Sequence, residues 1–289
     1  MTLMHELPGV FSRRDPLSSA PVVFDIPRSG REYPADFDAS ASFSDLHSSV
    51  SRHLERLYDG APEHGATWLY ARFPNTYIDA NRHERDIDPA MLDGEWPEPL
   101  EPSDKSRAGI GLIPMVVRGT RPLYAHGKLP TAQVRQRIDG YYRPYHDELK
   151  RILQGLRQQH GVAYHLSCHS MGSRIPAPAP DAGQLRSDFD LGDRRGATAD
   201  PAFTEFVRKT LAGMGYTVTL NAHFIGAECV RRHGAPAQGV HSLQIEMRRD
   251  LYMDEANGAA NAGFERVRAH MNELAAAVVA YARGPGKHG

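Results

Sequence analysis

The chain has 289 residues, 40% of them hydrophobic, with 34 basic against 35 acidic side chains. That is enough for one large domain with a full core, and the balanced charge gives no case for nucleic acid or a membrane surface as partner. Only Cys168 and Cys229 are present, which excludes a disulfide framework. The opening MTLMHELPGVFSRRDP has no apolar signal block, so a soluble cytoplasmic protein is expected.

In chain order, residues 1–19 read as an N-terminal extension of a single domain covering 1–289. Val22–Ile26 is a predicted strand that ends in a Pro-Arg-Ser-Gly turn at 27–30, and Trp68–Phe73 and Tyr77–Ala80 are two more. Residues 84–130 are rich in Pro, Gly and charge. Then Val134, Ile138, Tyr141, Tyr145, Leu149, Ile152 and Leu156 recur at helical spacing, with a kink expected at Pro144. Val162–Cys168 is a strand, followed by a second long irregular stretch, 172–200. Asp200-Pro201 opens a helix through Phe203, Val207 and Leu211 to a stop near Gly215. Strands Tyr216–Leu220 and Val240–Met247 follow, and Phe264, Val267, Met271, Leu274 and Val278 mark a final amphipathic helix. Alternating strands and helices predict an α/β fold: a mixed, mostly parallel sheet flanked by helices. Such sheets bind ligands beyond their strands' C-terminal ends, so 84–130 and 172–200 are expected to wall a pocket, the second as an active-site loop.

Three stretches carry chemistry. In VAYHLSCHSMGS, residues 162–173, alternation places His165, Ser167 and His169 on one face and Tyr164, Leu166 and Cys168 on the other. His169 stands at the strand's end, fit to bind zinc or act as a base; a histidine bonded within the strand-end turn is the plainer reading. Cys168 points away from it and reads as a core thiol. In GVHSLQIEMRRDLYMDE, residues 239–255, Gln244 and Glu246 share a face in an otherwise apolar strand. A carboxylate so placed suits acid–base work, or it pairs with Arg248 or Arg82. In FPNTYIDANRHERDIDP, residues 73–89, Asn81 and Arg82 offer planar recognition of a carboxylate, and Arg231 is a second candidate clamp; a solvated charge run fits HERDID better. GIGLIP, at 109–114, has no phosphate-binding turn, and neither a G-x-S-x-G elbow nor an H-E-x-x-H helix occurs.

Taken in order, DIPRSGREYPADF, ARFPNTYIDANRHERDIDPAMLDG, YYRPYH, SCHSMGS, DLGDRRG and GVHSLQIEMRRDLYMDE resemble the N-formylglutamate amidohydrolases, over residues 20–283. That resemblance implies a phosphorylase/hydrolase-like fold of the zinc-carboxypeptidase kind. It also implies a zinc-activated water that attacks the amide of a small N-acyl acidic amino acid and releases formate and glutamate in histidine breakdown. On it, His169 and Glu55 look like metal ligands and Glu246 like the acid–base catalyst. Asn81, Arg82 and Arg231 look like substrate contacts. The chain departs from the family where Arg28 stands in place of a ligand histidine, since guanidinium has no lone pair to offer a metal. Ser51 stands where relatives carry an acidic residue, and Ser167 where they carry a carboxylate. His53 is one replacement ligand to consider. The competing expectation is a non-catalytic, anion-binding descendant in which Arg28 fills the cation position. The oligomeric state is left open.

Overall fold

The computed structural model describes residues 2–117 and 119–284; Met1, Arg118 and 285–289, which the single-domain reading also took in, lie outside them. Eight strands form one sheet: β1 Leu3–Leu7, β2 Phe11–Asp15, β3 Val22–Ile26, β4 Thr67–Ala71, β5 Ala163–Met171, β6 Phe189–Gly192, β7 Val218–Leu220 and β8 Val240–Arg248. They lie in the order β1-β2-β4-β3-β5-β8-β6-β7. Pairs β4–β3, β3–β5, β5–β8 and β6–β7 are parallel, while β1–β2, β2–β4 and β6–β8 are antiparallel, so the sheet is mixed and mostly parallel at its centre. Central β3, Val-Val-Phe-Asp-Ile, is buried throughout, as a strand covered on both faces must be.

The principal helices are α1 Asp104–Arg107, α2 Thr131–Arg137, α3 Arg143–His160, α4 Pro201–Gly213, α5 Glu228–His233 and α6 Phe264–Arg283. On one face, α4 and α6 close a core that holds Phe24, Leu166, Cys168, Leu243, Ile245 and Met247. On the other, α2, α3 and the segments 73–117 and 119–130 cover Val23, Leu69 and Ala71. The helical stripe from Val134 to Leu156 is realised, with Val134, Ile138, Tyr145, Leu149, Ile152 and Leu156 all buried. The expected kink takes the form of a π turn over Ile138–Tyr142, with Arg143 N–H bonded to the carbonyl of Ile138. Pro144 follows that turn; widening the helix just ahead of a proline makes room for its ring without ending the helix.

Four expectations are corrected. Residues 1–19 are not an appendage, because they contain the β1–β2 hairpin, which adds to the sheet along β4. Tyr77–Ala80 is not a strand: Tyr77 N–H turns back onto the carbonyl of Pro74 at 2.9 Å and Asp79 N–H bonds that of Leu112 at 2.8 Å. Its Tyr and Ile were apolar because the segment is buried, and the buried Arg137 pins it by donating Nη1–H to the carbonyl of Tyr77 at 3.0 Å. Stretch 172–200 is not loop throughout, since β6, fully buried, runs through it. The strand expected at Tyr216–Leu220 begins at Val218.

Candidate active site

Parallel pairing of β5 with β8 sets His169 opposite Glu246 and Ser167 opposite Gln244. Paired residues of neighbouring strands point to the same face, so these four polar side chains make one patch at the strands' C-terminal ends. Leu166, Cys168, Ile245 and Met247 point the other way into the core. The Cys168 thiol is buried and its pKa is pushed up by that burial, which leaves it a core residue.

The patch is wired to α5 and to the 77–82 turn. Cys229 N–H donates to Asn81 Oδ1 at 2.9 Å, which fixes the Asn81 amide. Its Nδ2 then donates to His169 Nε2 at 3.2 Å and to Gln244 Oε1 at 3.3 Å. Gln244 Oε1 also accepts Ala227 N–H at 2.9 Å, and its Nε2 donates to Glu246 Oε1 at 3.0 Å. Because Asn81 Nδ2 can only donate, the His169 Nε2 lone pair is occupied and the ring proton sits on Nδ1, a buried atom with no protein partner. Burial first, then the Arg28 charge, lowers the His169 pKa to about 3, so the imidazole is neutral. Glu246 goes the opposite way. Burial raises its carboxyl pKa to about 7 against the pull of Arg28 and Arg249. Arg248, one of the two partners considered for Glu246, is instead committed to Asp188 at 2.9 Å and Asp250 at 2.7 Å.

Around this carboxyl stands a ring of cations. Arg28 leaves the end of β3, where Gly30 lets the turn press on the segment just past β4: a Cβ there would lie 2.1 Å from the carbonyl oxygen of Phe73. The guanidinium meets Asp79, Nε to Oδ1, at 3.3 Å, and its field reaches both His169 and Glu246. Arg82 Nε lies 3.8 Å from Asp79 Oδ2 and donates to the carbonyl of Ile110 at 3.1 Å; burial lowers its pKa. Three further cations were missed in the sequence. Lys105 of α1 is exposed at its surface, and partial desolvation with the Arg82 and Arg28 charges lowers its pKa while Glu246 opposes them. Arg186, from the 172–200 stretch, and Arg249, held by Ser170 at 3.0 Å, also act on Glu246. Arg249 carried a signal, since it follows the catalytic-looking strand directly; Lys105 and Arg186 reach the site only through the fold.

Other candidates do not join the patch. Glu55 is held by Ser29 Oγ and by Arg31 Nη2, the latter at 3.0 Å. Arg231 is clamped by Glu228 on its own helix at 2.7 Å, with its side chain partly exposed. His53 gives Nε2 to the carbonyl of Gly258 at 2.9 Å. Ser51 serves the turn, its N–H bonding the Arg28 carbonyl at 2.8 Å. A catalytic zinc takes three protein donors. Among the described residues no group of three or more His, Cys, Asp or Glu is arranged to hold a metal. Here one imidazole with an engaged Nε2 faces a guanidinium, and that donor set does not fit a three-ligand zinc.

A family model described as N-formylglutamate amidohydrolase matches residues 20–253. The chain belongs to that family. A relative in Pseudomonas aeruginosa named N-formylglutamate deformylase is 35% identical over 235 residues, 80% of this chain and 82% of the relative. A second of that name, from Pseudomonas putida, is 34% identical over 205 residues, 70% of each chain. The crystal structure of N-formylglutamate amidohydrolase from Ralstonia eutropha JMP134 superposes with a TM-score of 0.90 at 39% identity, over 95% of this chain and 99% of that one. The protein is an amidohydrolase, acting on carbon–nitrogen amide bonds, and the non-catalytic alternative is not favoured.

Proposed function

We propose that the protein hydrolyses the amide of a small N-acyl acidic amino acid, foremost N-formylglutamate, to the free amino acid and formate. A cytoplasmic enzyme fits this reading. The relatives' names supply the substrate class, and the cations match it: Arg28, Arg82 and Lys105 act on one another around Glu246, a concentration of positive charge that suits a substrate with two carboxylates. One observation carries the chemistry, the buried Glu246 beside His169 with its proton released near pH 7. In the ionised form Glu246 takes a proton from the water that attacks the acyl carbon. It then returns that proton to the leaving amine nitrogen. His169, neutral and held by Asn81, presents its unpartnered Nδ1–H as a donor for the carbonyl oxygen as negative charge builds there. No step is assigned to a metal, whose donors are incomplete here.

Formate release from N-formyl-L-glutamate, followed with and without added divalent metals, tests the reading; no release in any of them would remove it. The cation ring has its own test. Arg28→Met keeps the stem but deletes the charge next to Asp79, so KM for the diacid should rise about tenfold or more, with a smaller change for an N-formyl monoacid. Equal effects on both substrates would separate Arg28 from carboxylate recognition.

A further inference from the structure

A cavity of about 300 Å³ opens between α3 and α5 at the start of β8. Its Val240 lies six residues up β8 from Glu246, or about 20 Å along the strand, so it is separate from the Glu246–His169 patch. Asp147, Lys150, Gln154 and Arg157 fall on one face of α3 at three- and four-residue steps and line it, and Arg232 and His233 stand opposite. The side chains of Asp147, Lys150 and Arg157 have no hydrogen-bond or ion-pair partner among the described residues. The histidine has a defined tautomer. His146 Nε2 faces the carbonyl of Ala80 at 2.8 Å and must donate there, so its Nδ1 accepts from His233 Nε2–H at 3.0 Å. That leaves His233 Nδ1 as an acceptor. The pocket therefore offers three cations, one carboxylate and one neutral acceptor over an apolar floor of Leu153 and Val240.

We propose that this cavity is a binding site for a free acidic amino acid. Lys150, Arg157 and Arg232 meet its two carboxylates, while Asp147 and His233 Nδ1 take its ammonium. The volume stands at the lower bound for small-molecule pockets, which suits a ligand of that size.

Calorimetric titration of the full chain with L-glutamate and with glutarate, which lacks the ammonium, tests this. Double substitution K150A/R157A lies on an exposed helix face and leaves the Glu246–His169 patch intact. Expected are a glutamate site lost in the double variant while formate release is unchanged, and glutarate binding at least tenfold weaker at that site. The proposal falls if the double variant binds glutamate as the native chain does, if glutarate binds equally well, or if inorganic phosphate alone occupies the site. Since the catalytic assay is read separately, failure here leaves the hydrolase reading standing.

Discussion

Replacing Glu246 with Gln is expected to remove formate release while making the folded protein more stable at alkaline pH. The two effects share one cause. In the folded chain burial raises the Glu246 carboxyl from its ordinary 4.5 to about 7. Between those values the native state still holds a proton that the unfolded state has released. The stabilising contribution of this group is therefore complete below 4.5 and is lost as pH rises through 7. Above about pH 8 the ionised carboxylate is a burden of roughly 3 kcal/mol, which glutamine does not carry. Glutamine keeps the volume and can still accept from Gln244 Nε2, so the surrounding network is little disturbed. It cannot move a proton, and loss of an acid–base group lowers rate by about a hundred- to ten-thousand-fold. Formate assays and urea unfolding, both at about pH 8, read the two halves. Native activity should also climb with pH through about 7 as Glu246 ionises to the free carboxylate that serves as base. A variant that keeps more than a tenth of the rate, or is less stable than the native chain at that pH, would contradict this account of Glu246.

The pairing of His169 with Glu246 could be half read from the sequence and half not. Alternation in β5 and β8 assigns each side chain to a face, because a strand's period is two and one face must enter the core. It says nothing about which strands are neighbours. That follows from the topology, which sets β8 between β5 and β6. The same limit explains β6 itself. Its four residues, Phe-Asp-Leu-Gly, sit in a stretch dominated by Pro, Gly and charge, too short to give a period, yet they are wholly buried against β8. The β1–β2 hairpin was hidden for another reason. As an edge element, its β1 residues are all exposed, so no apolar face marks it. Among site residues, the strand-borne pair was legible and the ring of cations largely was not. Arg28 stood out by its place after a buried strand, whereas Lys105 sits on the one-turn helix α1 and Arg186 in an irregular segment, and tertiary contacts alone aim both. Glu55 and Arg231 mislead for the opposite reason: each is a plausible ligand in one dimension and each is spoken for by a near neighbour in three.

Asp25→Asn is expected to destabilise the fold by about 1–3 kcal/mol, the cost of leaving a buried hydrogen-bonding group without its partner. Asp25 on β3 and His165 on β5 are both fully buried, with Oδ1 2.7 Å from Nε2. His165 Nδ1 reaches Ser242 Oγ of β8 at 3.0 Å, and Tyr145 of α3 donates to Asp25 Oδ2 at 3.1 Å. Serine, histidine and aspartate in line invite a catalytic reading, but no side chain among them meets solvent, so no substrate reaches them. The chain of bonds instead crosses three central strands. Burial alone would raise the Asp25 pKa; the His165 charge and hydrogen bond overcome it and hold the carboxyl below its ordinary 3.8. A depressed carboxylate stabilises above its unfolded value and loses that contribution as pH falls below it, so the native advantage over Asp25→Asn should be full near neutrality and shrink in acid. The functional consequence lies in register. Arg28 is three residues beyond Asp25, His169 four beyond His165 and Glu246 four beyond Ser242, and a one-residue slip of any strand would turn its site residue into the opposite core. Urea unfolding of Asp25→Asn, Ser242→Ala and the double variant separates the links; loss of the serine alone should cost about 1 kcal/mol. A cost below about 1 kcal/mol for Asp25→Asn would mean that apolar packing, and not this polar bridge, sets the register of the three strands.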